Sequence, residues 1–404
     1  MTRTLFHGGN VFDGTGTDDP KPADVEIDGD RITSVGAPGS GDGDNAVDLA
    51  GRTLLPGFFD CHVHVIFSGI DILRDLQTPF SYRFFVAAQN LAATLRTGIT
   101  SVRDAAGADA GVKLAVERGL VPGPRMQIAI DIISQTGGHG DEYFPCGLDV
   151  PILSAPYPGK PTAIVDGPDE MRRTVRELIR AGADVLKVAT SGGVLSVGSD
   201  PRRAHLRPAE LDVLVEEATA AGRFVMAHAQ ATDGIKNAIR AGIRSIEHGI
   251  FLDEEAIGLM LDRGTWLVPT LIAPVWVIEA VEAGAALSEA SIRKARDVVD
   301  IHADSIARAV AAGVKVAMGT DAGVGPHGDN LRELSLMAKA GMTPAAVLRA
   351  TTLEAARLLG VDGDRGTIET GKLADFVVVD GDPYELDGIR DRIVQVWKGG
   401  TRVA

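Results

Sequence analysis

Cysteine is almost absent from this 404-residue chain: Cys61 and Cys146 are the only two, far apart and without a Cys-x-x-Cys partner. That excludes a disulfide framework and makes a cytoplasmic address the default. Basic residues are also in short supply, 40 Lys and Arg against 55 Asp and Glu, a net charge of −15. A field of that sign repels phosphate, so nucleic acid and anionic membrane surfaces are not expected partners. No run approaches the roughly 18 apolar residues of a membrane span. The opening Met1–Gly9 has neither the apolar core nor the small-residue cleavage site of a secretory signal. Apolar residues as a whole are plentiful: at 45% of the chain they suffice for one large domain, alone or with a small one.

What is present is alternation. Short β-branched apolar runs at 53–65, 100–104, 125–131, 184–190, 224–228, 245–248, 265–270 and 315–321 are separated by amphipathic stretches such as 81–97, 169–181, 207–221 and 287–312. Pro208 near one helix start, and Gly182 and Gly222 after helix ends, fit the asymmetry of helix termini. Strict β-then-α order predicts a parallel sheet with helices outside. Eight such units match an α/β fold of the closed (β/α)8 TIM-like barrel type. An open doubly wound sheet fits less well, because no Gly-rich phosphate fingerprint follows the first run. The two ends differ, with short strands expected at 4–12, 23–27 and 31–35 and again at 375–379 and 393–398. Neither end buries a core alone, which predicts a small β-sandwich built from both termini. The expected division is 1–54 and 361–404 for the sandwich and 55–360 for the barrel.

In such a barrel, function sits at the C-terminal ends of the strands. The first run ends in His62 and His64, and side chains two apart on a strand share a face, so the imidazoles converge while Val63 faces away. Cys61, of the opposite parity, is expected to pack elsewhere. The fourth run holds a single lysine, Lys187; the fifth ends in His228, the sixth in His248 and the eighth in Asp321. Ionisable groups at such positions are costly unless paired or metal-bound. Four histidines, a lysine and an aspartate on one rim point to a metal centre.

This pattern resembles the amidohydrolase superfamily over nearly the whole chain, including the opening Leu55-Pro56-Gly57-Phe58-Phe59-Asp60. Three stretches, Thr136-Gly137-Gly138-His139-Gly140-Asp141, Ser191-Gly192-Gly193-Val194-Leu195-Ser196 and Ser245-Ile246-Glu247-His248-Gly249, are similar to the imidazolonepropionase-related branch with its binuclear prolidases. The resemblance implies two divalent ions: His62, His64 and Asp321 on the more buried one, His228 and His248 on the more exposed one. Lys187 then bridges them as a carbamate formed with CO2. A desolvated lysine has the lowered pKa that such chemistry needs. Zinc suits mixed nitrogen and oxygen ligands, and manganese, cobalt or nickel fit as well. A hydroxide bridging the two ions would attack an amide carbonyl, Asp321 would carry its proton to the leaving nitrogen, and His139 would reach the developing oxyanion.

The implied substrate is a small-molecule amide, a dipeptide or an N-acyl amino acid, with a cyclic amide, carbamate or aryl amide as the alternative and a non-catalytic assembly protein further behind. Related prolidases carry an aromatic hydroxyl two positions after the histidine of the fifth strand. Here Gln230 stands there, which puts strict Xaa-Pro specificity in question. Residues 136–165, with Tyr143, Phe144 and Pro145, are expected to lie over the site. Arg202 or Arg203, beside His205 in the loop 192–206, is a candidate partner for a substrate carboxylate. A homo-oligomer is expected from the resemblance alone.

Overall fold

The computed structural model describes residues 3–16, 19–141, 143, 146–148, 157–196 and 198–404. Its centre is a set of parallel strands. Phe58–Val63, Ile99–Asp104 and Arg125–Ile128 form one sheet. Ile132–Ile133, Val185–Ala189, Phe224–Ala229, Ser245–His248 and Trp266–Val268 form another, in chain order. The Asp184 amide donates to the Ile128 carbonyl at 2.8 Å, tying the two sheets together at one side. At the other side, the Leu267 amide donates to the Lys315 carbonyl at 2.8 Å and the Cys61 amide to the Met318 carbonyl at 2.9 Å. Residues 315–322 therefore connect the sheets, although only isolated bridges at Val316 and Ala322 mark them. Asp321 in the left-handed region, φ +63°, is one reason a regular strand does not continue there.

Helices alternate with these strands, among them Tyr82–Arg96, Pro168–Arg180, Pro208–Ala220 and Glu289–Ala312. Their inner faces and the outward faces of the strands share one apolar core that includes Leu91, Val175, Leu178, Leu186, Val188, Leu211, Leu214 and Ile246. No helix among the described residues is long and apolar enough to cross a membrane.

The single run expected at 53–65 is two strands. Thr53–Pro56 joins a six-stranded sheet with Phe376–Val379 and Ile393–Lys398 from the far end of the chain, while Phe58–Val63 enters the parallel sheet. Gly57 makes the crossing, and a Cβ there would lie 2.3 Å from Thr100 Oγ1. Arg3–His7, Asp24–Asp28, Arg31–Gly36 and Asn45–Asp48 form a four-stranded sheet. The two terminal sheets share a core of Phe6, Val25, Ile27, Ile32, Leu54, Phe376 and Val378. Phe6 meets Phe376 and Trp397 edge-on, with centroids 5.3 and 4.9 Å apart.

Candidate metal centre and active site

Where the parallel strands end, their polar side chains meet. His62 Nε2 lies 3.3 Å and His64 Nε2 3.2 Å from Asp321 Oδ1. Lys187 Nζ is 3.4 Å from His62 Nε2. The His62 and His248 rings are 5.0 Å apart, and the His248 and His228 rings 4.6 Å. His62, His248 and Asp321 each offer a ligand atom within 4.8 Å of the others, a group able to hold a metal ion. Three left-handed non-glycine residues cluster here, His248 at φ +72°, Thr270 at +50° and Asp321 at +63°. Such backbone is costly and persists where surrounding structure enforces it, commonly at functional sites.

Each imidazole is fixed by the ring nitrogen that faces away from the cluster. His62 Nδ1 pairs with Glu247 Oε2 at 2.9 Å, and His64 Nδ1 with the Ala106 carbonyl at 2.9 Å. His248 Nδ1 meets Thr270 Oγ1 at 2.7 Å, and His228 Nε2 the Gly192 carbonyl at 3.0 Å. With the ring proton on those outer nitrogens, the inner ones would be lone-pair donors, which is what a metal site requires of histidine. Burial sets the electrostatics. It drives His228 and His248 well below the ordinary histidine range, helped by neighbouring imidazoles and Lys187, so they are neutral. It pulls Lys187 down to about 8 against the opposing pull of Glu247 and Asp321. For Asp321 burial acts upward, but His62 and His64 outweigh it and hold the carboxyl well below its usual range. Neutral His228 and His248, an ionised Asp321 and the buried Lys187 amine form, with His62 and His64, a donor set that fits divalent cations.

His139, from the loop after Ile132–Ile133, stacks on His228 with ring centroids 3.9 Å apart at 14°. Its Nδ1 is 3.1 Å from Ser196 Oγ, and burial together with Lys187 lowers it to about 3. Gly193 permits this, since a Cβ there would lie 2.4 Å from the His139 ring.

The amidohydrolase family model matches residues 53–403. The chain belongs to the amidohydrolase family. It is 36% identical over 364 residues to the ochratoxinase of Aspergillus niger, covering 86% of this chain and 75% of that protein. It is 27% identical over 391 residues to the imidazolonepropionase of Rhizorhabdus wittichii, covering 89% and 88%. Among solved structures, that of a Xaa-Pro dipeptidase with methionine bound in the active site superposes with a TM-score of 0.90 at 33% identity, covering 99% of both chains. This amidohydrolase is therefore a metal-binding hydrolase acting on carbon–nitrogen bonds, of the prolidase-like branch.

A cavity of about 240 Å³ opens over the amidohydrolase centre. His62, His64, Lys187, His228, His248 and Asp321 line it, as do His139, Tyr143 and Gln230. Gln230 is 5% exposed, and among the described residues its Oε1 has no hydrogen-bond partner. Three of the residues named for substrate contact are not in the lining. Arg202 lies over the Phe251 ring at 5.0 Å, Arg203 is exposed beside Asp200, and His205 is buried. Their loop turns them outward or into packing, so they do not face the cavity. Phe144 and Pro145 lie outside the described residues. Other residues of the centre were not singled out from the sequence. Glu247, Thr270 and Ser196 hold its histidines, and His302 lines the cavity while its Nε2 meets the His248 carbonyl at 2.8 Å.

Proposed function

We propose that this amidohydrolase cleaves the amide bond of a dipeptide or N-acyl amino acid that carries an apolar side chain. The observation that carries this is the joining of the polar floor to an apolar wall. Ile70, Val194, Leu195, Ile250, Val277 and Val324 line the same cavity as the histidine cluster and pack on one another. An apolar substituent seated on that wall would bring its amide to the floor.

His62, His64 and Asp321 would hold the more buried of two divalent ions and His228 and His248 the other, with Lys187 between them as a carbamate. When bound, such ions supply an activated water near neutral pH and polarise a carbonyl. The residues supply the rest. Asp321, ionised and touching His62 and His64, moves the proton from the attacking oxygen to the leaving nitrogen. His139 is neutral and its Nδ1 meets Ser196 Oγ; with that hydroxyl donating to Nδ1, the ring proton would sit on Nε2 and serve the developing oxyanion. Gln230 and Tyr143 offer polar groups to the rest of the substrate. The frame for this is read as a (β/α)8 barrel of residues 55–360 with a sandwich of 1–54 and 361–404. The hydrogen bonds through residues 315–322 and the shared terminal core support it.

One observation favours a second reading, an uncharged cyclic amide, carbamate or aryl amide. Among the described residues, Lys187 is the one lysine or arginine lining the cavity, so no guanidinium is placed to pair with a carboxylate. A panel of dipeptides, N-acyl amino acids and neutral aryl amides, assayed on protein of measured metal content, separates the two. Turnover of N-acyl amino acids above their methyl esters supports the first reading, and turnover only of neutral amides selects the second. Metal-replete protein that hydrolyses none of them overturns both.

A further inference from the structure

Beneath the ligating rim lies a second cluster of charge, wholly buried. Glu247 Oε2 accepts from His62 Nδ1 at 2.9 Å, and its Oε1 accepts from Arg103 Nη2 at 2.9 Å and from Ser245 Oγ at 2.5 Å. Arg103 donates Nε to the Cys61 carbonyl at 2.7 Å and Nη1 to Ser245 Oγ at 3.2 Å. Exposure is 0% for Glu247 and Ser245, 1% for His62 and 2% for Arg103. Three strands, Phe58–Val63, Ile99–Asp104 and Ser245–His248, are pinned at one point. Stability alone is a weak account of such a group, because buried ion pairs seldom beat apolar packing of the same volume.

A neutral imidazole carries one N–H, and its partners decide which nitrogen bears it. An arginine is always charged, so the carboxylate beside it is an acceptor only. That acceptor draws the proton to His62 Nδ1 and leaves Nε2 as a lone pair, the atom that faces Asp321 and Lys187. Without it, Asp321 would be the best acceptor available to the ring. The proton would then sit on Nε2 and point into the space where a cation must bind.

We propose that Arg103 and Glu247 are a positioning pair that selects the Nδ1–H tautomer of His62 and thereby makes the buried end of the centre competent for a divalent cation. The proposal rests on His62 as a ligand. It needs no particular substrate.

Two measurements test it. In metal-free protein labelled with 15N-histidine, with His62 assigned from the spectrum of His62→Asn, the His62 ring should show the Nδ1–H pattern; an Nε2–H pattern overturns the proposal. Glu247→Gln keeps the shape, but its amide oxygen stays with Arg103 and Ser245 and its NH2 turns to His62, imposing the opposite tautomer. Zinc titration against a competing chelator should then show one ion bound roughly 10–100-fold more weakly; wild-type affinity overturns the proposal. The double variant Arg103→Met/Glu247→Leu leaves neither an unpaired buried charge nor a carboxyl or amide acceptor for His62 Nδ1 and controls for folding. Zinc affinity that stays low in it supports tautomer selection, and affinity that returns shows a salt bridge and nothing more. A wild-type protein that binds two zinc ions but hydrolyses none of the panel leaves the pair standing and fells the substrate reading. A wild type that binds no zinc fells the pair.

Discussion

At Lys187 an amine stands 1% exposed near Glu247 and Asp321 and amid a ring of imidazoles. A lysine kept only for charge would sit better where water reaches it. Lys187→Ala should therefore abolish turnover and lower metal content while circular dichroism stays that of the wild type. Full activity with unchanged metal would sink the carbamate bridge. His228→Ala should act in the same direction, and Asp321→Asn, which keeps the shape and removes the base, should cost roughly 10²–10⁴-fold in kcat. His139 is tested indirectly through Gly193→Ala. The added methyl must push the His139 ring off His228, because a Cβ at Gly193 would lie 2.4 Å from that ring. A kcat loss of roughly tenfold or more, with metal content unchanged, is expected if His139 stabilises the oxyanion; wild-type kcat removes it from that role. Lys187 and His228 were legible in the sequence because an ammonium or imidazole inside an apolar strand violates the pattern around it, whereas His139, in a loop, was named only through the resemblance. Arg103 in Ile99–Asp104 and Glu247 in Ser245–His248 break the pattern in the same way. They escaped notice because they sit below the rim, where spacing alone does not distinguish a ligand from the group that orients it. His302 gave no signal, since it reaches the centre from the helix Glu289–Ala312 and from no strand end.

Among elements, the segment 315–322 is irregular, with isolated bridges at Val316 and Ala322 and a left-handed Asp321, and yet constrained. Asp60, on Phe58–Val63, does the constraining. Its Oδ1 accepts from the His62 and Thr320 amides, each at 3.1 Å, and its Oδ2 accepts from Thr320 Oγ1 at 2.6 Å and Asn330 Nδ2 at 2.8 Å. Burial pushes its carboxyl up to about 6 against these hydrogen bonds. Asp60→Ala orphans several buried donors at once, each worth about 1–3 kcal/mol. A loss of about 3 kcal/mol or more in urea unfolding is expected, along with weaker metal binding, since Asp321 adjoins Thr320. A variant with unchanged midpoint and metal affinity would show that Asp321 holds its left-handed conformation without this brace. The β-then-α order was readable because apolar periodicity switches from two to about 3.6 residues between runs. The split at Gly57 was not, for both halves of 53–65 are buried, and a strand changing sheets leaves no mark in hydropathy.

Over the whole molecule, the chain ends are fastened to the parts that carry the site. Arg125, on a parallel strand, pairs with Asp375 at 3.1 Å, and Lys398 reaches the Gly123 carbonyl. Ties of this kind across residues hundreds apart in sequence favour unfolding as one unit, so an ion held at the rim should stabilise the terminal sheets as well. An ion that binds the native chain and not the unfolded one adds about 2.7 kcal/mol when free metal is 100-fold above its Kd. Stripping the protein with a chelator should accordingly lower the melting temperature by several degrees and abolish hydrolysis together, and adding zinc, manganese, cobalt or nickel should restore both. Probes on Trp397 in the terminal sheets and on Trp276, in the helix Ile272–Glu282 whose Ala273 and Val277 line the cavity, should melt together in either state. Metal-free protein, verified by elemental analysis, that melts and hydrolyses as before would remove metal from both the stability and the chemistry of this amidohydrolase. Separate transitions for the two probes would show that the terminal sheets do not feel the centre.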